Sequence, residues 1–342
     1  MSIQTSFFLG NIKTRKHKLD CTTHSHLCDH QTFDPNLSDY DLNFRVICKA
    51  LFRNDKGHIY PLSEERARHI FQVFDKNGDG FIDKEEFTFC WNHWIKVVIP
   101  VYLLFIITCV AFQVVEPINR LLDTVPFDAL FYSLDWHPPD HVSFIDNVHM
   151  RELHPSSPAQ AYDTVEFAGP PPMKQRLWPR HCVQDTWGAE LHKDLKVLEG
   201  AVKIYKGTNP EVDSYSVFWD NKKLTDTTLS NQLRLRGASD IYICGLAYDV
   251  CVGATIADAL AIGYRAILIE DASRGVDLAD IEKTKATIVN NNGVILRSLQ
   301  VMAMVEGRDR RPELGYKLAM ELKNAMEDNN LVYCFRFKPH YG

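Results

Sequence analysis

What this chain lacks narrows what it can be. There is no excess of positive charge, since 38 Lys and Arg stand against 44 Asp and Glu for a net charge of −6. Nor is any basic patch interleaved with aromatic residues, so a surface built for nucleic-acid phosphates, and a nucleic-acid partner with it, is excluded. The composition is not that of a disordered chain: 45% hydrophobic and 24% charged residues over 342 positions suffice for two folded parts. A disulfide framework is not indicated either. The nine cysteines are odd in number and scattered, no secretory signal is evident, and reduced thiols in a cytoplasmic setting are expected.

One stretch lacks charge altogether. Residues 97–115, between Lys96 and Glu116, hold no Asp, Glu, Lys or Arg. Their length is near the ~20 residues of a membrane-spanning helix, which would anchor the chain in a membrane and is the one route to a membrane partner. Richness in Val and Ile also suits a strand buried on both faces. A third reading is translated non-coding or alternatively spliced sequence in place of a first strand.

Turning to what is present, the segment 241–254 (IYICGLAYDVCVGA) is the most informative. Its apolar and β-branched start reads as a buried strand, and the residues through Leu260 carry helical spacing. Cys251 therefore falls where a helix begins. The first-turn N–H groups and the helix dipole favour an anion there, so the thiol is expected to shift toward the thiolate, the form that attacks a carbonyl carbon.

Upstream, DWHPPDH at 135–141 follows another apolar run. Asp135 and His137 are two apart, so in an extended strand both side chains leave one face and can share a metal ion. His181, in WPRHCV at 178–183, is a further candidate. One carboxylate and two imidazoles with open positions make a catalytic rather than a structural set, since a structural zinc wants four closed ligands.

These motifs, with IYKG at 204–207 and GLAYDVCV at 245–252, occur in an order that resembles the nicotinamidase branch of the isochorismatase-like cysteine hydrolases, over roughly residues 116–323. The resemblance implies a doubly wound, mostly parallel α/β sheet and hydrolysis of nicotinamide to nicotinate and ammonia, in NAD salvage. It implies Cys251 as nucleophile, Lys206 as its triad lysine, and an oxyanion hole from the N–H groups of Ala247 and Cys251 after a cis Leu246–Ala247 peptide. Asp135, His137 and His181 would hold zinc, iron or manganese, with His141 beside them, and Trp178 and Tyr215 would pack on the pyridine ring. In one respect the chain departs from the pattern. The family's first strand ends in an aspartate that accepts the thiol proton and later returns it to the leaving amine; residues 97–115 supply no carboxylate. A catalytically impaired homologue that binds calcium or a ligand is the alternative function. Small-molecule binding is expected in either case, and a homo-oligomer is left open.

An independent signal lies nearer the N-terminus. DKNGDGFIDKEE at 75–86 places oxygen ligands at loop positions 1, 3 and 5, Gly at 6 and Glu at 12, the pattern of an EF-hand calcium loop. Asp75, Asn77, Asp79, the Phe81 carbonyl, Asp83 through water and bidentate Glu86 would hold calcium. Aromatic residues on one face of each flanking segment suit the paired helices. Residues 54–60 look like a degenerate partner without ligands.

The expected organisation is an irregular region 1–40, a small all-α EF-hand domain 41–95, the apolar segment 96–115, a hydrolase domain 116–323 and a tail 324–342. Cys21, His24, His26, Cys28 and His30 crowd together in the first region, at spacings that match no standard zinc motif.

Overall fold

A computed structural model describes residues 39–98, 103–109, 112–155, 159–169 and 172–327. The Cys and His group between 21 and 30 lies outside them, as does most of the tail. Six strands form one sheet in the order β5-β2-β1-β6-β7-β8, all parallel. These are β1 (Leu103–Thr108), β2 (Ala129–Asp135), β5 (Val202–Lys206), β6 (Asp240–Leu246), β7 (Arg265–Arg274) and β8 (Val294–Leu296). A separate antiparallel pair, β3 (Thr164–Phe167) and β4 (Met173–Arg176), packs Val165 and Phe167 against Val142 and Leu177.

The charge-free stretch belongs to this sheet. Its described residues form a short helix Lys96–Val98, the strand β1, and the start of helix α4 (Phe112–Thr124). All six β1 residues are buried between β2 and β6, a position that suits the five apolar residues before Thr108. The membrane-span reading is thereby corrected: no helix among the described residues is long and apolar enough to cross a membrane. The first strand is also not missing. What is short is the connection that follows it, since only residues 109–111 separate β1 from α4.

Alternation along β1 builds two cores at once. Leu103, Phe105 and Ile107 point to one face, where Val114, Ile118 and Leu121 of α4 and Val301 and Met304 of α8 (Ser298–Val305) cover them. Leu104 and Ile106 point to the other, against Leu229 and Leu233 of α5 (Leu229–Leu235), Ile256 and Leu260 of α6 (Gly253–Ile262) and Ile288 of α7 (Leu278–Asn290). The result is a doubly wound α/β sandwich.

The N-terminal helices α1 (Asp39–Leu51), α2 (Glu64–Phe74) and α3 (Lys84–Cys90) enclose a third core. Beyond α3 the backbone widens into a π turn, Trp91–Ile95. Trp94 is fully buried there, with Phe44 stacked at 6.1 Å and Phe74 at 5.5 Å. This core is not closed by the EF-hand residues themselves. Leu318, Ala319 and Leu322 of the last described helix, α9 (Pro312–Glu327), complete it, and the Trp94 indole N–H donates to the Gly315 carbonyl at 2.8 Å. A Cβ at Gly315 would stand 2.5 Å from the Phe52 ring, so the helix approaches as closely as it does only because that residue is glycine. The loop 54–60 closes on itself through an antiparallel bridge between Arg53 and Ile59.

Because Trp94 serves both parts, Trp94→Ala is expected to destabilise the chain by about 3–5 kcal/mol, a large-to-small change in a closed core. Urea unfolding followed by far-ultraviolet circular dichroism checks this. A loss below about 1 kcal/mol would mean that the shared core contributes little.

Candidate active site

The site lies at the carboxyl ends of the parallel strands, where β2, β1, β5 and β6 deliver their last residues side by side. The pairing of β2 with β5 puts Asp135 opposite Lys206. Both are buried, and the Lys206 ammonium lies 2.5 Å from Asp135 Oδ1, 2.6 Å from the Ser214 carbonyl and 3.3 Å from Cys251 Sγ. A carboxylate, an ammonium and a thiol thus stand in sequence.

Cys251 is brought to Lys206 by the end of β6. The Leu246–Ala247 peptide is cis, and a helical run starting at Tyr248 carries Cys251 in its first turn before α6. Gly245 makes this approach possible: its φ is +115°, and a Cβ there would fall 1.8 Å from the Thr108 carbonyl oxygen. Thr108 Oγ1 donates to the carbonyls of Cys244 and Leu246, each at 3.0 Å, holding the β6 turn against β1.

Electrostatics here differ from the expectation for Cys251. Burial pushes the thiol up to about 12, and although Lys206 opposes this, Asp135 and Asp213 add to it. A helix start and one ammonium do not offset this burial, which favours the thiol over the thiolate. For Asp135 the balance goes the other way. Burial pushes its carboxyl up, but Lys206 and His137 more than reverse this and hold it well below the usual carboxylate range. Lys206 is pushed down by burial yet ends far above its ordinary value, because Asp135, Cys251 and Cys109 all favour its charge.

The residues of the metal motif converge as well. Ligand atoms of Asp135, His137 and His181 lie within 4.8 Å of one another. His137 Nδ1 is 2.9 Å from the Gly207 carbonyl and His181 Nδ1 is 2.8 Å from the Pro179 carbonyl. Each ring then carries its proton on Nδ1 and offers the Nε2 lone pair, the tautomer a metal ligand needs. Gly207 matters because a Cβ there would sit 2.4 Å from the His137 ring. His141 is fully buried with Nδ1 2.7 Å from Ser143 Oγ, and its Nε2 has no hydrogen-bond partner. It groups with His137 and Asp213 within 4.8 Å, and burial with the neighbouring His137 pushes its pKa down to about 2, leaving it neutral. The donor set fits a borderline cation such as zinc, iron or manganese.

Trp178 and Tyr215 meet at right angles, ring centroids 6.4 Å apart, with the indole N–H 3.4 Å from the Tyr215 hydroxyl. Three further residues of the site escaped sequence reasoning. Asp213 sits in an irregular loop, while Cys109 and Cys182 stand beside Asp135.

In the calcium loop, Gly80 takes φ +83° and its N–H donates to Asp75 Oδ2 at 3.1 Å. Glu86 turns back over the loop, accepting from the N–H groups of Lys76 at 2.8 Å and Asp83 at 3.0 Å. Asp75 Oδ1 is buried without a hydrogen-bond partner, the mark of an oxygen arranged for a cation.

Comparison with known proteins agrees with this geometry. The isochorismatase-domain family model matches residues 144–300 and an EF-hand model matches residues 67–91. The nicotinamidase of Escherichia coli is 39% identical over 166 residues, 48% of this chain and 72% of that protein. The nicotinamidase of Schizosaccharomyces pombe is 32% identical over 199 residues, 56% of this chain and 87% of its own length. Among solved structures, an Acinetobacter baumanii nicotinamidase/pyrazinamidase superposes with a TM-score of 0.52 at 31% identity, covering 59% of this chain and 99% of that one. Yeast nicotinamidase bound to the inhibitor nicotinaldehyde, at 23% identity and a TM-score of 0.51, shares the fold. The chain belongs to the isochorismatase-like family. The nicotinamidases compared above lie within that family, and here the hydrolase fold follows an EF-hand module.

The ion pair generates a prediction. Lys206→Met leaves Asp135 buried without its cation, at a cost of about 3–5 kcal/mol near neutral pH. In the parent chain the depressed Asp135 pKa contributes stability above the unfolded carboxylate value, ~3.9, and that contribution fades as pH falls toward the folded value. In the variant, burial raises the Asp135 pKa with only His137 and His181 left to oppose it, so its deficit should narrow as pH falls from neutral into the acid range. Urea midpoints of both chains across that range, with chelator present, test this; a gap independent of pH would contradict it.

Proposed function

We propose that the chain is a nicotinamide amidohydrolase that works through a Cys251 thioester and is slowed by the lack of a carboxylate on β1. The observation that supports this reading most is the 3.3 Å contact of Lys206 with Cys251, made beside Asp135 at the strand ends. Cys251 Sγ attacks the carboxamide carbon, and the oxyanion that forms accepts hydrogen bonds from the N–H groups of Ala247 and Cys251. Collapse breaks the C–N bond, the leaving nitrogen takes a proton and departs as ammonia, and water hydrolyses the thioester to the acid. Trp178 and Tyr215 flank the ring and limit its poses. Asp135, His137 and His181, with His141 near, would hold a divalent metal, which supplies a point of attachment for the pyridine nitrogen.

The departure from the family is in proton handling. Thr108 spends its hydroxyl proton on backbone carbonyls, and β1 carries no acid. Asp135 is held ionised by Lys206 and Lys206 is held charged by Asp135, so neither readily takes the thiol proton. Solvent must take it.

Two outcomes follow. Ammonia release from nicotinamide should depend on Cys251, vanish in Cys251→Ala, and rise about tenfold per pH unit above neutrality as the thiolate fraction grows toward the raised pKa. A flat profile would show that a protein group acts as base. The aldehyde analogue of nicotinamide should still form a thiohemiacetal at Cys251, because that adduct needs nucleophile and oxyanion hole but no leaving group; mass spectrometry of the intact chain detects it.

For the EF-hand loop, we propose one calcium per chain, held by Asp75, Asn77, Asp79, the Phe81 carbonyl, Asp83 through water and Glu86. Glu86→Gln should abolish the heat of calcium binding in titration calorimetry of the full chain, because the bidentate ligand is lost. Unchanged binding in that variant would place the ion elsewhere.

A further inference from the structure

The site contains two thiols that amide hydrolysis does not use. Cys109 directly follows β1 and Cys182 directly follows His181; both are half-buried and free. The Cys109 and Cys182 thiols face the same small space beside Asp135. Both sulfurs and a carboxylate oxygen of Asp135 lie within 4.8 Å of one another. The backbone holds each in place. The Cys109 carbonyl accepts from the Leu246 N–H at 3.0 Å, tying it to the β6 turn, and the Cys182 carbonyl accepts from the His137 N–H at 3.0 Å. Cys182 takes φ +46°, a left-handed conformation that a residue with a Cβ keeps only where its surroundings impose it, and such residues gather at ligand clamps.

We propose that Cys109, Cys182 and Asp135 form a sulfur-rich site for a thiophilic divalent cation of the zinc group, beside the Asp135–His137–His181 set and sharing Asp135 with it. The proposal stands apart from the amide reading, since it needs neither Cys251 nor nicotinamide. Charge favours it. Two thiolates and one carboxylate against the Lys206 ammonium, 2.5 Å from Asp135, leave a local charge of −2 that one divalent cation neutralises. Donor type selects the ion: two sulfurs prefer zinc or cadmium over magnesium, calcium or manganese, whereas the histidine set has no such bias toward soft ions. Three protein ligands leave a tetrahedral cation one open position. Binding exchanges protons for metal, M2+ and two R–SH giving M(SR)2 and two H+, the protons passing to solvent with no change of oxidation state.

The test uses the full chain, reduced and stripped of metal, and cadmium chloride as the probe. The expected result is a sulfur-to-cadmium charge-transfer absorption in the near ultraviolet that saturates with added cadmium. Alkylation of Cys109 and Cys182 by iodoacetamide, read by peptide mass, should slow by about tenfold or more, because a metal-bound thiolate is no longer a free nucleophile. Cys109→Ser and Cys182→Ser should each remove most of the absorption, while Cys251→Ala and His137→Ala retain it. The alkylation arm uses the unaltered chain, so it does not depend on a variant folding. Absence of the absorption, absence of protection, or an absorption that persists in the Cys109→Ser/Cys182→Ser double variant and disappears in Cys251→Ala would each overturn the proposal.

Discussion

The buried pair of Asp135 and Lys206 is the interaction around which the site is arranged. Each ends a strand, the two strands are parallel neighbours, and the register sets them opposite one another. Taking either charge out of water alone would be too costly to sustain, so each is present because the other is. From that pair the remaining geometry follows. The ammonium is held 3.3 Å from the Cys251 sulfur, and the carboxylate sits where the histidine donors meet the two cysteines.

The central strand bears directly on the proposed chemistry. β1 satisfies every structural demand of its position: it is apolar, buried on both faces and paired on both edges. It ends in Thr108, whose hydroxyl braces the β6 turn, and Cys109 follows it. Structure and proton transfer make separate demands on the same few residues, and the proposed route therefore hands the thiol proton to solvent. The wall that encloses Cys251 so well also raises the cost of ionising it, and a lone ammonium is insufficient compensation.

How much of this could be read in advance depended on whether a signal was local. The EF-hand pattern is contained in twelve consecutive positions, and a family model matches the module at residues 67–91. The strand before Cys251 and the pairing of Asp135 with His137 rest on short-range periodicity and read nearly as well. The apolar segment 97–115 was ambiguous because a strand buried on both faces and a membrane helix share a composition. Asp213, Cys109 and Cys182 gave no signal of their own, since what brings them to Asp135 is the lateral order of the sheet. The thiol state of Cys251 was misjudged for a related reason: a helix start is visible in a sequence, but enclosure by residues far along the chain is not. The same limit hid the debt of the EF-hand core to α9.

That debt has a consequence in time as well as in space. Trp94 and Gly315 are 221 positions apart, so the most N-terminal core among the described residues is closed by a helix from the far side of the hydrolase sheet in sequence. Until α9 emerges, Phe44, Phe74 and Trp94 have no complete apolar surroundings, and the early helices must persist as a loosely packed, exposed cluster. Contacts of such separation are slow to form because a long loop must close before they return any stability. The EF-hand loop lies inside that unfinished region, so an ion bound there during synthesis would hold α2 and α3 together until α9 is in place.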